Sequence, residues 1–179
     1  MKKLSILLVL LLLVGCSDAE PTSTDNQTVE VDNDKTQTKD KTKQNDESGF
    51  EFESNGVTIA INQEAKTVVE KLGDSLDYFE APSCAFDGMD KIYTYNGFEL
   101  HTYEVDGVDY VLSVIFLDDS VTTKEGVYLF SSLDDVLEVY GENYTENQGL
   151  YTYEKGDTTL SFLIENNEVV SIEYMAVVE

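Results

Sequence analysis

Arginine is absent from the 179 residues, and basic side chains are scarce altogether: 11 lysines stand against 36 aspartates and glutamates, a formal charge of −25. Without guanidinium forks the chain lacks the side chain that grips phosphate or carboxylate in a bidentate way. Without a basic surface it has no electrostatic footprint for nucleic acid. Thiols are equally few, Cys16 and Cys84, and His101 is the one histidine. No Walker loop, Gly-rich dinucleotide fingerprint, zinc-ligand spacing or triad motif occurs. The sequence therefore implies no cofactor and singles out no catalytic residue and no metal ligand set.

What is present begins at the first residue. Met1-Lys2-Lys3 is followed by an apolar run from Leu4 to Val14 and then by Gly15-Cys16, the pattern of a secretory signal too short to span a bilayer. Leu13-Val14-Gly15-Cys16 resembles the lipobox of bacterial lipoproteins. That resemblance implies removal of residues 1–15 and diacylation of Cys16, hence a protein lipid-anchored to the cell membrane on its extracytoplasmic face. Two acyl chains suffice for stable anchoring, at about 0.8 kcal/mol per buried methylene. Residues 16–49 are polar and acidic with almost nothing apolar, a composition that cannot offset ordering entropy and reads as a disordered tether. Asp32, Asp34, Thr36, Thr38 and Asp40 have a calcium-loop rhythm, but Gln37 stands where the loop needs glycine. The arginine-free composition and lysine-bearing tether suit a low-GC Gram-positive source. With Cys16 lipidated, Cys84 is left as a lone thiol and no internal disulfide is expected.

Residues 50–179 are long enough for one domain, and this part is internally duplicated, about 56–117 and 126–175. Ala65, Val68, Val69 and Leu72 form one apolar helical stripe closed by Gly73; Leu133, Val136, Leu137 and Tyr140 repeat it, closed by Gly141. Asn62 and Ser131 or Ser132 are the candidate N-caps. After each helix comes a tyrosine strand, Ile92-Tyr93-Thr94-Tyr95 and Leu150-Tyr151-Thr152-Tyr153, and then a hairpin. A further short strand is expected over Val57 to Ile61. Each half thus reads as a helix and a three-stranded meander, and the expected class is α+β: two tandem repeats forming an antiparallel sheet with helices on one face. This order resembles the beta-lactamase inhibitor protein fold and the BamE-like outer-membrane assembly lipoproteins. The resemblance implies action by binding other proteins.

Turn chemistry predicts which way the strands face. Asn96-Gly97 and Lys155-Gly156 direct Tyr93, Tyr95, Tyr151 and Tyr153 to the helix-covered side. Three-residue loops at Val105-Asp106-Gly107 and Glu165-Asn166-Asn167 would bring Leu112 and Val170 to that side as well. The other side would then carry Glu99, His101, Tyr103, Val111, Ser113 and Ile115 from the first copy, and Leu163, Glu165, Val169, Ser171 and Glu173 from the second. It is less polar than a simply solvated face and is the candidate surface for a protein partner.

The copies differ most between helix and tyrosine strand, where residues 74–91 form a longer loop in the first. Two further readings attach to it. One is a divalent-cation module using Asp87 and Asp90 around Gly88. The other is a hydrolase or thiol enzyme, with Cys84 as nucleophile and His101 as base. Against the latter, Cys84 reads as a buried structural cysteine and His101 as a residue of the sheet face. The leading expectation is a non-enzymatic binding or envelope-assembly domain.

Overall fold

Tight turns lay down most of this domain. Asn55-Gly56, Asp106-Gly107, Gln148-Gly149 and Asn166-Asn167 all have positive φ at both central residues, the I′ geometry whose twist matches antiparallel strands. The computed structural model describes residues 48–85 and 87–178. The expected signal, Cys16 and nearly all of the tether lie outside them. The elements are β1 (Glu51–Ser54), β2 (Val57–Ala60), α1 (Ala65–Leu72), β3 (Asp77–Pro82), β4 (Met89–Tyr95), β5 (Phe98–Val105) and β6 (Val108–Phe116). There follow α2 (Leu133–Tyr140), β7 (Thr145–Asn147), β8 (Leu150–Lys155), β9 (Thr158–Glu165) and β10 (Glu168–Ala176). Strands β1 and β2 pair by themselves, and the other eight form one antiparallel sheet in the order β3-β4-β5-β6-β10-β9-β8-β7.

This architecture corrects the expected α+β class. The described domain is mostly β, 51% strand against 12% helix. Each helix has eight residues, about 12 Å of length, whereas eight strands at about 4.8 Å spacing make a sheet about 34 Å wide. Two such helices cannot form the layer that covers it. The β1–β2 hairpin supplies Phe52 and Ile59 to the core, the segment before α2 supplies Val127 and Leu129, and the helices add Ala65, Val68 and Val136. Three strands were not expected at all. β3 and β7 lie at the sheet edges and are acidic, short or proline-ended, as edge strands tend to be, and β1 precedes the repeated region. Each repeat is therefore a helix and four strands.

The capping expectations divide between the copies. In α2, Ser132 accepts from the Asp135 N–H while the Asp135 carboxylate accepts from the Ser132 N–H, a complete capping box. In α1 the N-cap is Glu64, with no side-chain capping bond. Asn62 instead accepts a 2.6 Å hydrogen bond from the Tyr103 hydroxyl.

Most of the core row runs through the repeated tyrosines. Tyr78, Tyr93, Leu100, Val114, Tyr174, Leu160 and Tyr153 are successive cross-strand neighbours. Tyr95 and Tyr153 are buried with them. The tyrosine strands are thus core strands, as their turns predict.

The long hairpins depart from the expected register. Both turns have two residues rather than three, Val105 pairing with Val108 and Glu165 with Glu168. Parity is recovered farther along by a bulge at Leu112, between Val111 and Ser113, and by its counterpart at Val170. A bulge inserts one unpaired residue and reverses the facing of what precedes it. Val111 and Val169 therefore enter the core at 0% exposure, while Val170 is 38% exposed. Both bulges sit where a preceding segment grips the valine: Val111 donates its N–H to the Gln63 carbonyl and accepts from the Asn62 N–H, and Val169 likewise donates to Ser131 and accepts from Phe130.

The two repeats carry the same device at equivalent positions, and they meet symmetrically. Fifty-eight residues separate Leu112 from Val170, and the same interval separates Ile115 from Glu173, which pair across β6 and β10. A pseudo-twofold axis passes between these two residues.

Candidate functional site

The sheet face opposite the core is covered by no described element. One row of it crosses all eight strands without a break: Asp77, Thr94, Glu99, Ile115, Glu173, Ser161, Thr152, Thr145. The neighbouring row holds Phe79, Ile92, His101, Ser113, Met175 and Thr159. Antiparallel strands built from hairpins place alternate residues on this side, and the β6–β10 junction extends the alternation from one repeat to the next.

Of the six residues expected on the surface, Glu99, His101, Ser113 and Ile115 lie together on three adjacent positions of β5 and β6. Ser113 is nearly covered by its neighbours. Val111 is not on this face, because the Leu112 bulge turns it into the core. Tyr103 is 93% buried at the end of β5, with its ring 5.9 Å from that of Tyr110 and its hydroxyl tied to Asn62. In the second copy Leu163, Ser171 and Glu173 are on the face, whereas Val169 is in the core for the same reason as Val111. Thr94, Ile92, Met175 and Phe79 join the surface without having been expected there. For Met175 the sequence signal was its place two residues after Glu173; what was missing was the knowledge that β10 lies beside β6.

The centre of the face has a definite charge arrangement. His101 Nε2 lies 3.0 Å from Glu99 Oε2. Glu173 is half-buried, and desolvation raises its pKa above the usual glutamate value while the nearby His101 partly opposes the shift. Among the described residues Glu173 has no hydrogen-bond partner. Pseudosymmetry makes Ser161 the equivalent of Glu99 and Thr145 that of Asp77, so within this row the carboxylates lie in the first repeat and at the axis. Thr152 and Ser161 share a 3.0 Å hydroxyl hydrogen bond in the second.

The five lysines of the domain all lie on the covered side. Lys66 is in α1 and Lys71 at its last turn. Lys124, in the segment before α2, approaches Glu51. Lys91 pairs with Thr102, a buried core-side position, and its Nζ binds Asp109 Oδ2 at 2.6 Å. That hydrogen bond raises the Lys91 pKa against the opposing effect of burial. Lys155 lies 5.8 Å over the Phe50 ring. The open face carries Asp77, Asp90, Glu99, Glu154, Glu173 and, at its far end, the cross-strand pair Glu165 and Glu168, with His101 as its basic side chain. The lysines are sorted by face, although the acids look evenly dispersed in the sequence.

The long loop of the first copy is a hairpin. β3 pairs with β4 over six rungs from Asp77–Thr94 to Pro82–Met89. Cys84 is exposed at its tip, which corrects the expectation of a buried structural cysteine. Pro82 is three rungs, about 10 Å, from the Phe79–Ile92–His101 row, and Cys84 lies beyond it, on a hairpin whose strand is two across from that of His101. The pair is not assembled as nucleophile and base. Asp90 leaves Oδ1 buried without a hydrogen bond, Asp87 is exposed, and no group of three His, Cys, Asp or Glu side chains with metal-binding geometry exists among the described residues.

A cleft of about 300 Å³ separates α1 from the β5–β6 hairpin, floored by Ala65, Val69, Tyr93 and Val108. Its volume is at the bottom of the range for small-molecule sites. No described helix is long and apolar enough to cross a membrane. Against family models, curated proteins and solved structures, the chain finds no match.

Proposed function

We propose that this protein is a lipid-anchored, extracytoplasmic binding domain that engages a protein partner through the open face of its sheet. The observation that supports the reading most is the unbroken row across eight strands with no described element over it. The central strands β5, β6, β10 and β9 bury their other side in the core, so the fold holds the middle of that surface in place. Three rows of this width cover about 700 Å², close to the roughly 800 Å² per partner of a standard protein interface. The lipobox around Cys16 supports the anchoring.

Two experiments test this. A Cys16→Ala chain should leave the membrane fraction; unchanged retention refutes the anchor. A photocrosslinking side chain at Thr94 or Thr152 should capture a protein in intact cells, whereas one at Glu70 on α1, on the covered side, should not.

A further inference from the structure

We propose that the partner presents a basic segment to this face, with a lysine or arginine side chain seated over Ile115 between Glu99 and Glu173. The proposal rests on the binding reading above and adds the chemistry of the occupant.

Charge complementarity carries it. From Gly49 onward the chain has 27 acids and 5 lysines, and every one of those lysines is on the covered side. Lys91 and Lys155, the two lysines carried by strands, both occupy core-side positions, and Lys66, Lys71 and Lys124 lie in α1 and the segment before α2, so no lysine neutralises the acids of the open face. The face is also not uniformly polar. Phe79 and Met175 are 58% and 38% exposed, and Ile92 and Ile115 are half-buried beside them. Carboxylates at Glu99 and Glu173 flank Ile115 from either side, one strand away in each direction, so the two are about 10 Å apart. An aliphatic stem ending in a cation fits such a place, its methylenes on isoleucine and its charged head shared by the two acids. Within the chain Glu99 has His101, but Glu173 has no ion-pair partner among the described residues. An acidic or phosphorylated occupant would meet the face's carboxylates with one imidazole to set against them.

The test uses the full chain in a neutral detergent, with hexalysine as probe and its fully acetylated form as control. Glu99→Gln/Glu173→Gln is compared with Glu53→Gln/Glu70→Gln, which removes the same two charges from exposed positions on the covered side. Calorimetric titration at fixed low salt should show affinity for hexalysine falling at least tenfold in the first variant and less than twofold in the second. Equal losses would mean attraction to net charge alone and would overturn the proposal, as would absence of hexalysine binding. The crosslink from Thr94 separates this outcome from failure of the binding reading. Capture that persists undiminished in Glu99→Gln/Glu173→Gln overturns the basic occupant and leaves the reading standing; no capture from Thr94 or Thr152 overturns the reading itself. Circular dichroism of both variants confirms that each is folded before affinities are compared.

Discussion

Ile115 and Glu173 hold the same place in the two repeats and stand directly opposite each other, on β6 and β10. Antiparallel pairing of equivalent strands is how two identical sheets join edge to edge, and it removes two of the four edges that separate repeats would expose. The eight-stranded sheet is thus an internal dimer made by one chain. The axis pair has one apolar and one acidic member, which means that the symmetry of the backbone is not kept by the surface.

Mutating the neighbours at each bulge separates backbone register from simple alternation. Val169→Ala should cost about 2 kcal/mol, from lost apolar burial and the cavity left behind, while Val170→Ala should stay within about 0.5 kcal/mol. Urea unfolding of the two variants checks this. Larger loss at Val170 would restore the three-residue turn.

Phe52 lies between the two repeats' aromatic residues, its ring centroid 5.0 Å from Phe98, 5.1 Å from Phe116 and 6.0 Å from Tyr174. Phe52→Ala should destabilise the domain by about 3–5 kcal/mol. A loss below about 1 kcal/mol would show that the β1–β2 hairpin is an appendage rather than part of the core.

The repeated tyrosines differ in what their hydroxyls do. The Tyr153 hydroxyl donates a 2.8 Å bond to the Gly141 carbonyl at the end of α2. The Tyr95 hydroxyl is buried with no partner among the described residues. Tyr153→Phe should therefore cost about 1 kcal/mol, and Tyr95→Phe should be neutral or slightly stabilising. Paired unfolding curves decide it, and equal costs would contradict the assignment.

Glu173 gives a pH dependence of definite sign. Its folded pKa is raised above the unfolded one by burial, so the folded state holds the proton more tightly. Its ionisation weakens folding as pH rises through the window from the ordinary glutamate value to the raised one. Glu173→Gln should therefore be more stable than wild type at pH 7, with the gap narrowing as pH falls below that window. Unfolding at a series of pH values measures it, and a gap that widens on acidification would reverse the sign.

Much of this was legible because it is local. Helix stripes at Ala65–Leu72 and Leu133–Tyr140, the closing Gly73 and Gly141, and the turn at Asn96-Gly97 are contained within a few residues, and such patterns state their own periodicity. The inward facing of Tyr95 and Tyr153 followed from turn length alone, and the duplication followed from comparing one half with the other. The anchoring motif at Cys16 belongs to the same kind of short-range signal and falls outside the described residues.

Other features depend on chain segments that are far apart. Val111 faces inward because Asn62 and Gln63 claim its backbone, a contact spanning about fifty residues that alternation cannot express. β3 carries no strand signature in the sequence because an edge strand needs a partner on one side alone and so shows little apolar alternation. The two helices have the expected period but cover only part of the sheet, since periodicity tells that a stripe is buried but not how wide a sheet it must cover. The joining of β6 to β10 has no local signature, yet it brings Glu99, Ile115 and Glu173 into one row and leaves every lysine behind the sheet. The sequence by itself determined the elements, their repetition and the overall excess of acid, because those are properties of neighbours and of composition. Only the tertiary structure decided which side that charge is on, because facing is set by bulges and by pairing between residues that are distant along the chain.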